Sequence, residues 1–200
     1  MARRPVFLLA PGAGAPISHP WLRAWAERLS EFGDVCPFDY PYQQGHKRAP
    51  DPLPVLIQAH LAAAKAAEER FPEQPLFFIG KSMGGRIGCH ASLERSVSGL
   101  ICLGYPLKSP GKSGKLRDQV LLALRAPVLF VQGTRDPLCP LDELDRVLPK
   151  MSAAHELFVV EAGDHSLEVT KTALKRAGES QDQIDLRVSA AIRQFVERLV

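Results

Sequence analysis

The chain has no apolar run long enough to read as a membrane span. Its longest near the N-terminus, Val6-Phe7-Leu8-Leu9-Ala10, falls far below the roughly 20 residues that a bilayer core requires. Arg3 and Arg4 precede this run, but it is too short for a signal-peptide core and Pro11-Gly12 follows at once. The chain is therefore expected to carry no leader and to be cytoplasmic. Four cysteines (Cys36, Cys89, Cys102 and Cys139) show no C-x-x-C spacing, and three lie in apolar surroundings, as buried free thiols do. No disulfide framework, metal site or other cofactor is expected. The net charge of +3 is small and the basic residues are scattered, so neither nucleic acid nor a membrane surface is an expected partner. No repeat, low-complexity tract or long linker interrupts the chain. What is present is a 46% hydrophobic, 24% charged sequence of 200 residues, enough for a substantial core in one domain over residues 1–200.

Short β-rich runs alternate with helical patterns. Residues 6–10 read as a buried strand, followed by a helix that Ser18 caps, with Leu22, Trp25, Leu29 and Phe32 at three- and four-residue steps and Gly33 at its end. Residues 34–38 form a weaker strand. A helix through Val55, Ala59, Ala63 and Ala67 closes at Pro72. Strands are expected at 76–79, 99–103, 128–131 and 157–160, with helices from Met83, around 117–124 and near 141–148. The last helix opens on a capping-box pattern, Ser180 and Gln183, and carries an apolar stripe of Ile184, Val188, Ile192, Phe195 and Leu199. About six apolar strands alternating with helices imply an α/β fold: a three-layer α/β/α sandwich on a mostly parallel sheet.

The third strand runs into Gly80-Lys81-Ser82-Met83-Gly84-Gly85. This is G-x-S-x-G between strand and helix, the context that gives the pattern meaning. A serine on so abrupt a turn takes a strained backbone conformation, and side chains two residues to either side would collide with the adjoining elements. Rival motifs fail. A phosphate-binding loop ending at Gly80-Lys81-Ser82 needs glycine where Pro75 stands, and Gly111-Lys112-Ser113 meets Pro106 in the same way. Gly12-Ala13-Gly14 begins a dinucleotide fingerprint, but its third glycine position holds Ile17.

A serine hydroxyl needs a base to take its proton. His60 and His90 fall within helices, His19 at a helix start, His155 before a strand and His46 in a basic loop; surface or structural roles suit all five. His165, in Gly163-Asp164-His165-Ser166, follows the last strand and leaves the same sheet edge as Ser82. Asp136, after the fifth strand, leaves that edge too, whereas Asp164 is poorly placed to reach its neighbour's ring. The oxyanion donors expected are the backbone N–H groups of Met83 and Ala13. Ser82 and the loop of Gly12 and Gly14 flank a topological switch point, where α/β sheets form binding crevices.

Taken together, Gly80–Gly84, Asp136 and His165 resemble the α/β-hydrolase superfamily over nearly the whole chain. More narrowly, the segments 11–14, 38–42, 104–107 and 132–136 are similar to a small branch. It holds bacterial hydrolases, the animal testis-expressed hydrolase-like proteins and the hydrolase-like domain of an NSL-complex subunit. The resemblance implies a triad of Ser82, His165 and Asp136 and a truncated fold that begins with the family's third strand. Many relatives insert a cap domain after the strand ending near Leu103; here only residues 104–115 intervene, so no cap is expected. Ile17, Tyr105, Leu107 and Leu138, with Gly12 and Gly14, are expected to line an open cleft; Trp21 reads as helix core. The basic residues His46, Lys47 and Arg48, and Lys108, Lys112 and Lys115, leave the same edge and are candidates for its rim. The implied function is a serine hydrolase of small acyl esters or thioesters, against the alternative of a non-catalytic protein-interaction scaffold.

Overall fold

A computed structural model describes residues 3–109, 114 and 116–200. The elements follow in chain order: β1 (Val6–Ala10), α1 (Pro20–Ser30), β2 (Asp34–Pro37), α2 (Pro41–Gln44), α3 (Leu53–Arg70), β3 (Leu76–Lys81) and α4 (Met83–Ala91). Then come β4 (Gly99–Leu103), α5 (Gln119–Leu122), β5 (Val128–Gly133), α6 (Leu141–Val147), β6 (His155–Val160), α7 (Lys171–Ala177) and α8 (Gln181–Glu197). The six strands form one sheet in the order β2-β1-β3-β4-β5-β6, parallel throughout. This is the three-layer α/β/α sandwich on a parallel sheet expected from the sequence.

The two-residue period of a strand divides the core. Val6, Leu8, Phe78, Leu100, Cys102 and Phe130 face one side, where they meet Ala64 of α3, Cys89 of α4 and Leu144 of α6. Phe7, Leu9, Phe77, Ile79, Ile101, Leu103 and Val131 face the other, against Leu22 and Trp25 of α1 and Val188 and Ile192 of α8. The four central strands are buried along their length, apart from Lys81 at the end of β3. The outer two are only partly covered, and β6 begins at His155 rather than 157 because its first residues pair with β5 while staying half in solvent. The Ser180–Gln183 capping box closes the start of α8 in both directions, at 3.2 and 2.8 Å.

Several helices differ from their expected form. The cap of α1 is His19, whose Nδ1 accepts from the Trp21 N–H at 3.2 Å; Ser18 plays no such part. The buried stripe of α3 is Leu56, His60, Ala64 and Ala67, which keeps Ala67 but is otherwise one residue along from the expected series, whose first member, Val55, is exposed. Helix α7 buries no residue and so leaves no apolar period to read; Thr170 and the left-handed Gly178 delimit it. Cys89 and Cys102 are buried free thiols with their sulfurs 3.8 Å apart. Among the described residues no helix is long and apolar enough to cross a membrane.

His60 has a structural part. Its ring is fully buried, packs edge-on against Phe78 at 4.6 Å and Phe38 at 5.2 Å, and shares a 3.1 Å hydrogen bond with the Tyr40 hydroxyl. Burial disfavours its cation and lowers its pKa from 6.5 to about 3. The unfolded chain therefore binds one more proton than the folded chain between those two values, and stability rises with pH across that window. Expected: stability falls as pH drops below 6.5, with His60 contributing a slope of up to about 1.4 kcal/mol per pH unit. His60→Phe should remove that contribution, read from urea midpoints at pH 7 and 5.

Candidate active site

Ser82 is the single residue between β3 and α4, and its backbone lies at φ 50°, ψ −112°. Such a left-handed value is unfavourable for any side chain and persists only where the surroundings impose it. They do so here. The Ser82 N–H donates to the Leu103 carbonyl at 3.0 Å, tying the turn to β4. A Cβ at position 84 would stand 2.6 Å from both the Ala10 and Pro11 carbonyl oxygens, so glycine is required where α4 passes the end of β1. The turn thrusts the Ser82 hydroxyl out of the carboxyl edge of the sheet.

His165 reaches that hydroxyl. Its Nε2 lies 2.7 Å from Ser82 Oγ, and its Nδ1 lies 2.7 Å from Asp136 Oδ2. With Nδ1–H donating to the carboxylate, Nε2 is left to accept from the serine. The Asp136 side chain is fully buried and also accepts from the Leu138 N–H at 2.8 Å and from Gln132 Nε2 at 3.4 Å. Asp164 is engaged elsewhere: its Oδ1 accepts from the Ser166 and Glu168 N–H groups at 2.7 and 3.0 Å, shaping the loop that presents His165. Gly104, at φ +67°, lets β4 end against this loop; a side chain there would strike the His165 carbonyl.

The loop after β1 is held by its carbonyls. Tyr42 Oη donates to Ala13 O at 3.0 Å, and Gln43 Nε2 donates to Gly12 O and Ala15 O at 3.0 and 2.9 Å. Among the described residues neither the Ala13 N–H nor the Met83 N–H has a hydrogen-bond acceptor. Two backbone donors are thus available beside Ser82.

These groups open on a cleft of about 380 Å³ whose walls include Gly12, Ala13, Gly14, Trp21, Leu22, Leu138 and Lys81 together with Ser82 and His165. Leu138, Gly12 and Gly14 stand where they were expected. Three residues do not. Tyr105 and Leu107 are fully buried on the α3–α4 side of the sheet, where the Tyr105 hydroxyl donates to the Arg117 carbonyl at 2.9 Å. Ile17 packs against the α1–α8 core, and its N–H donates to Asp39 Oδ1 at 2.7 Å. Their place is taken by Trp21, which lines the cleft and donates through Nε1 to the Ser166 carbonyl at 2.9 Å. Lys108 is paired with Glu143 at 2.7 Å and lines a separate hollow; Lys112 and Lys115 lie outside the described residues. His46, Lys47 and Arg48 line a hollow that shares Ala13, Gly14 and Ala15 with the cleft.

Lys81 escapes a sequence reading, since nothing in the pattern marks the x of G-x-S. Its ammonium donates to the His165 carbonyl and sits 5.6 Å from the centre of the Trp21 ring, bracing the histidine loop against the turn. Burial lowers its pKa to about 8, against the opposing pull of Asp136, Asp164 and Glu168. Among the described residues no group of three His, Cys, Asp or Glu side chains could hold a metal ion.

A family model described as an alpha/beta hydrolase domain matches residues 3–197. Similar solved structures include an alpha-beta serine hydrolase homologue from Coxiella burnetii, 18% identical, covering 80% of this chain and 76% of that one, with a TM-score of 0.63. A dienelactone hydrolase from Anabaena variabilis is 20% identical over 88% of this chain and 82% of its own, with a TM-score of 0.67. A serine hydrolase without lid from Xanthomonas campestris is 15% identical over 99% and 83%, with a TM-score of 0.72.

The Lys81–Trp21 contact offers an optical reading. Expected: tryptophan fluorescence changes with pH around a midpoint near 8, as the ammonium over Trp21 loses its proton, and Lys81→Met removes the transition. A midpoint near 10.5, the ordinary lysine value, would mean that Lys81 is solvated.

Proposed function

The chain belongs to the alpha/beta hydrolase domain family, and from that premise we propose that it is a serine hydrolase cleaving esters or thioesters of short acyl groups through a Ser82 acyl-enzyme. The observation that carries this reading is the unbroken relay from Ser82 Oγ through the His165 ring to the buried Asp136 carboxylate, with 2.7 Å at each link. Within the family, the segments 11–14, 38–42, 104–107 and 132–136 support a place among its small hydrolase-like branch.

Each step uses a group already in position. Ser82 Oγ attacks the acyl carbonyl while His165 Nε2 takes its proton, and the carbonyl pair moves onto oxygen. The Met83 and Ala13 N–H groups face that oxyanion in this reading, and the carbonyl anchors at Gly12, Ala13 and Ala15 keep the loop from relaxing. Collapse of the adduct breaks the bond to the leaving group, which receives the proton from Nε2. Water then repeats the sequence: His165 takes its proton, the hydroxide oxygen joins the acyl carbon, and the proton returns to Ser82 as the acid leaves. Asp136 holds the ring's tautomer and stabilises the imidazolium that forms twice per turnover. Trp21, Leu22 and Leu138 offer the acyl group apolar contact without closing over it.

Expected: Ser82→Ala abolishes labelling by a fluorophosphonate and lowers kcat by up to about 10⁶-fold with the fold intact, while Asp136→Asn lowers it by up to about 10⁴-fold. Labelling that persists in Ser82→Ala would exclude this nucleophile. In a p-nitrophenyl ester series, acetyl to butyryl should be preferred, because an open cleft returns less than the ~0.8 kcal/mol of a fully buried methylene. A steady rise in kcat/KM to dodecanoyl would contradict the short-acyl assignment.

A further inference from the structure

Beside α4 lies a further cavity, of about 420 Å³, that shares no lining residue with the cleft. Arg86 and His90, one turn apart on α4, form one wall; Ser109, Arg117 and Gln119 form the others. Every one of these side chains can donate a hydrogen bond, and no carboxylate among the described residues lines the space. The charged group nearest in influence to Arg86 is another arginine, Arg117, and no carboxylate is among the groups acting on it.

A half-buried guanidinium without a counter-charge is costly, because desolvation is not repaid by a partner. Arg86 shows that imbalance directly. Among the described residues its Nε and the Ser109 Oγ are buried without a hydrogen-bond partner, and its one side-chain polar contact is with His90 Nε2 at 3.5 Å, too far for a strong bond. Burial and the charge of Arg117 push the Arg86 pKa down, and burial and Arg86 do the same to His90. All four observations have one remedy, an anion among them.

We propose that this cavity binds a phosphoryl group, held by the Arg86 and Arg117 guanidinium groups with Ser109, His90 and Gln119 completing its shell. The donors come from α4, from the loop before α5 and from the start of α5, so they converge from several directions. That suits a tetrahedral oxyanion with three free oxygens better than a flat carboxylate, which one guanidinium satisfies edge-on. The space exceeds a single phosphate, and Leu53, Leu116 and Val120 give it an apolar side. The ligand class is therefore a phosphomonoester of a small organic molecule. This site goes beyond the hydrolase reading and does not depend on it.

The test is calorimetric titration of the whole protein with inorganic phosphate and with glycerol phosphate, at fixed ionic strength in chloride. Both should bind, the monoester more tightly through the apolar side; phosphate binding equally well would assign the site to the free ion. Arg86→Gln and Arg117→Gln should each weaken binding by about tenfold or more. Arg117 lies in a loop, so its variant serves if the α4 substitution impairs folding. Titration of Ser82→Ala separates this site from the cleft: binding there should be unchanged whether or not Ser82 is the nucleophile. No phosphate binding above the chloride background overturns the proposal. So does binding that both arginine variants leave intact, or acetate binding as tightly as phosphate.

Discussion

The backbone of Ser82 sets the terms for the rest of the molecule. A non-glycine residue at φ 50° costs on the order of 1–3 kcal/mol, and the cost is met by rigidity on every side. Strand β3 lies between β1 and β4, so the turn cannot move without breaking pairings on both flanks. Helix α4 passes so close that positions 80, 84 and 85 admit no Cβ without displacing backbone. Three glycines thus serve one serine. The same closeness leaves the α4 amide end beside the Ser82 hydroxyl rather than beneath a side chain.

Parallel pairing then assembles the other groups from distant parts of the chain. Ala10 stands beside Gly80, Gly80 beside Cys102, and Gly133 beside Val160, so the loops after β1, β3, β5 and β6 leave one edge within reach of each other. Loop chemistry completes the placement. Asp164 spends its carboxylate on its own loop, which frees Asp136 to be the partner of His165. Tyr42 and Gln43 fasten the loop after β1 from behind.

Charge is distributed unevenly around α4. On the cleft side Lys81 has Asp136, Asp164 and Glu168 acting on it, so its burial is offset. Arg86, on α4, has a second arginine and no carboxylate acting on it. One cation ends β3 and the other lies in the first turn of α4, where the Arg86 N–H donates to the Ser82 carbonyl at 3.1 Å.

Much of this was legible in the amino-acid order because it rests on local rules. Runs of apolar residues bounded by glycine and proline mark the strands, the Ser180–Gln183 pair marks the start of α8, and a G-x-S-x-G between strand and helix has few alternatives sterically. The juxtaposition of Ser82, Asp136 and His165 follows from which sheet edge each leaves, and that too is implied by alternation. Side chains in loops obey no such period. Tyr105 and Leu107 are as apolar as Trp21, and hydropathy cannot say that the first two turn into the core while the third turns into the cleft; the packing of segments far apart in the chain decides it. Lys81 and Arg86 look like ordinary surface cations in the sequence. Only the tertiary structure buries them, because desolvation depends on what the rest of the chain places above them.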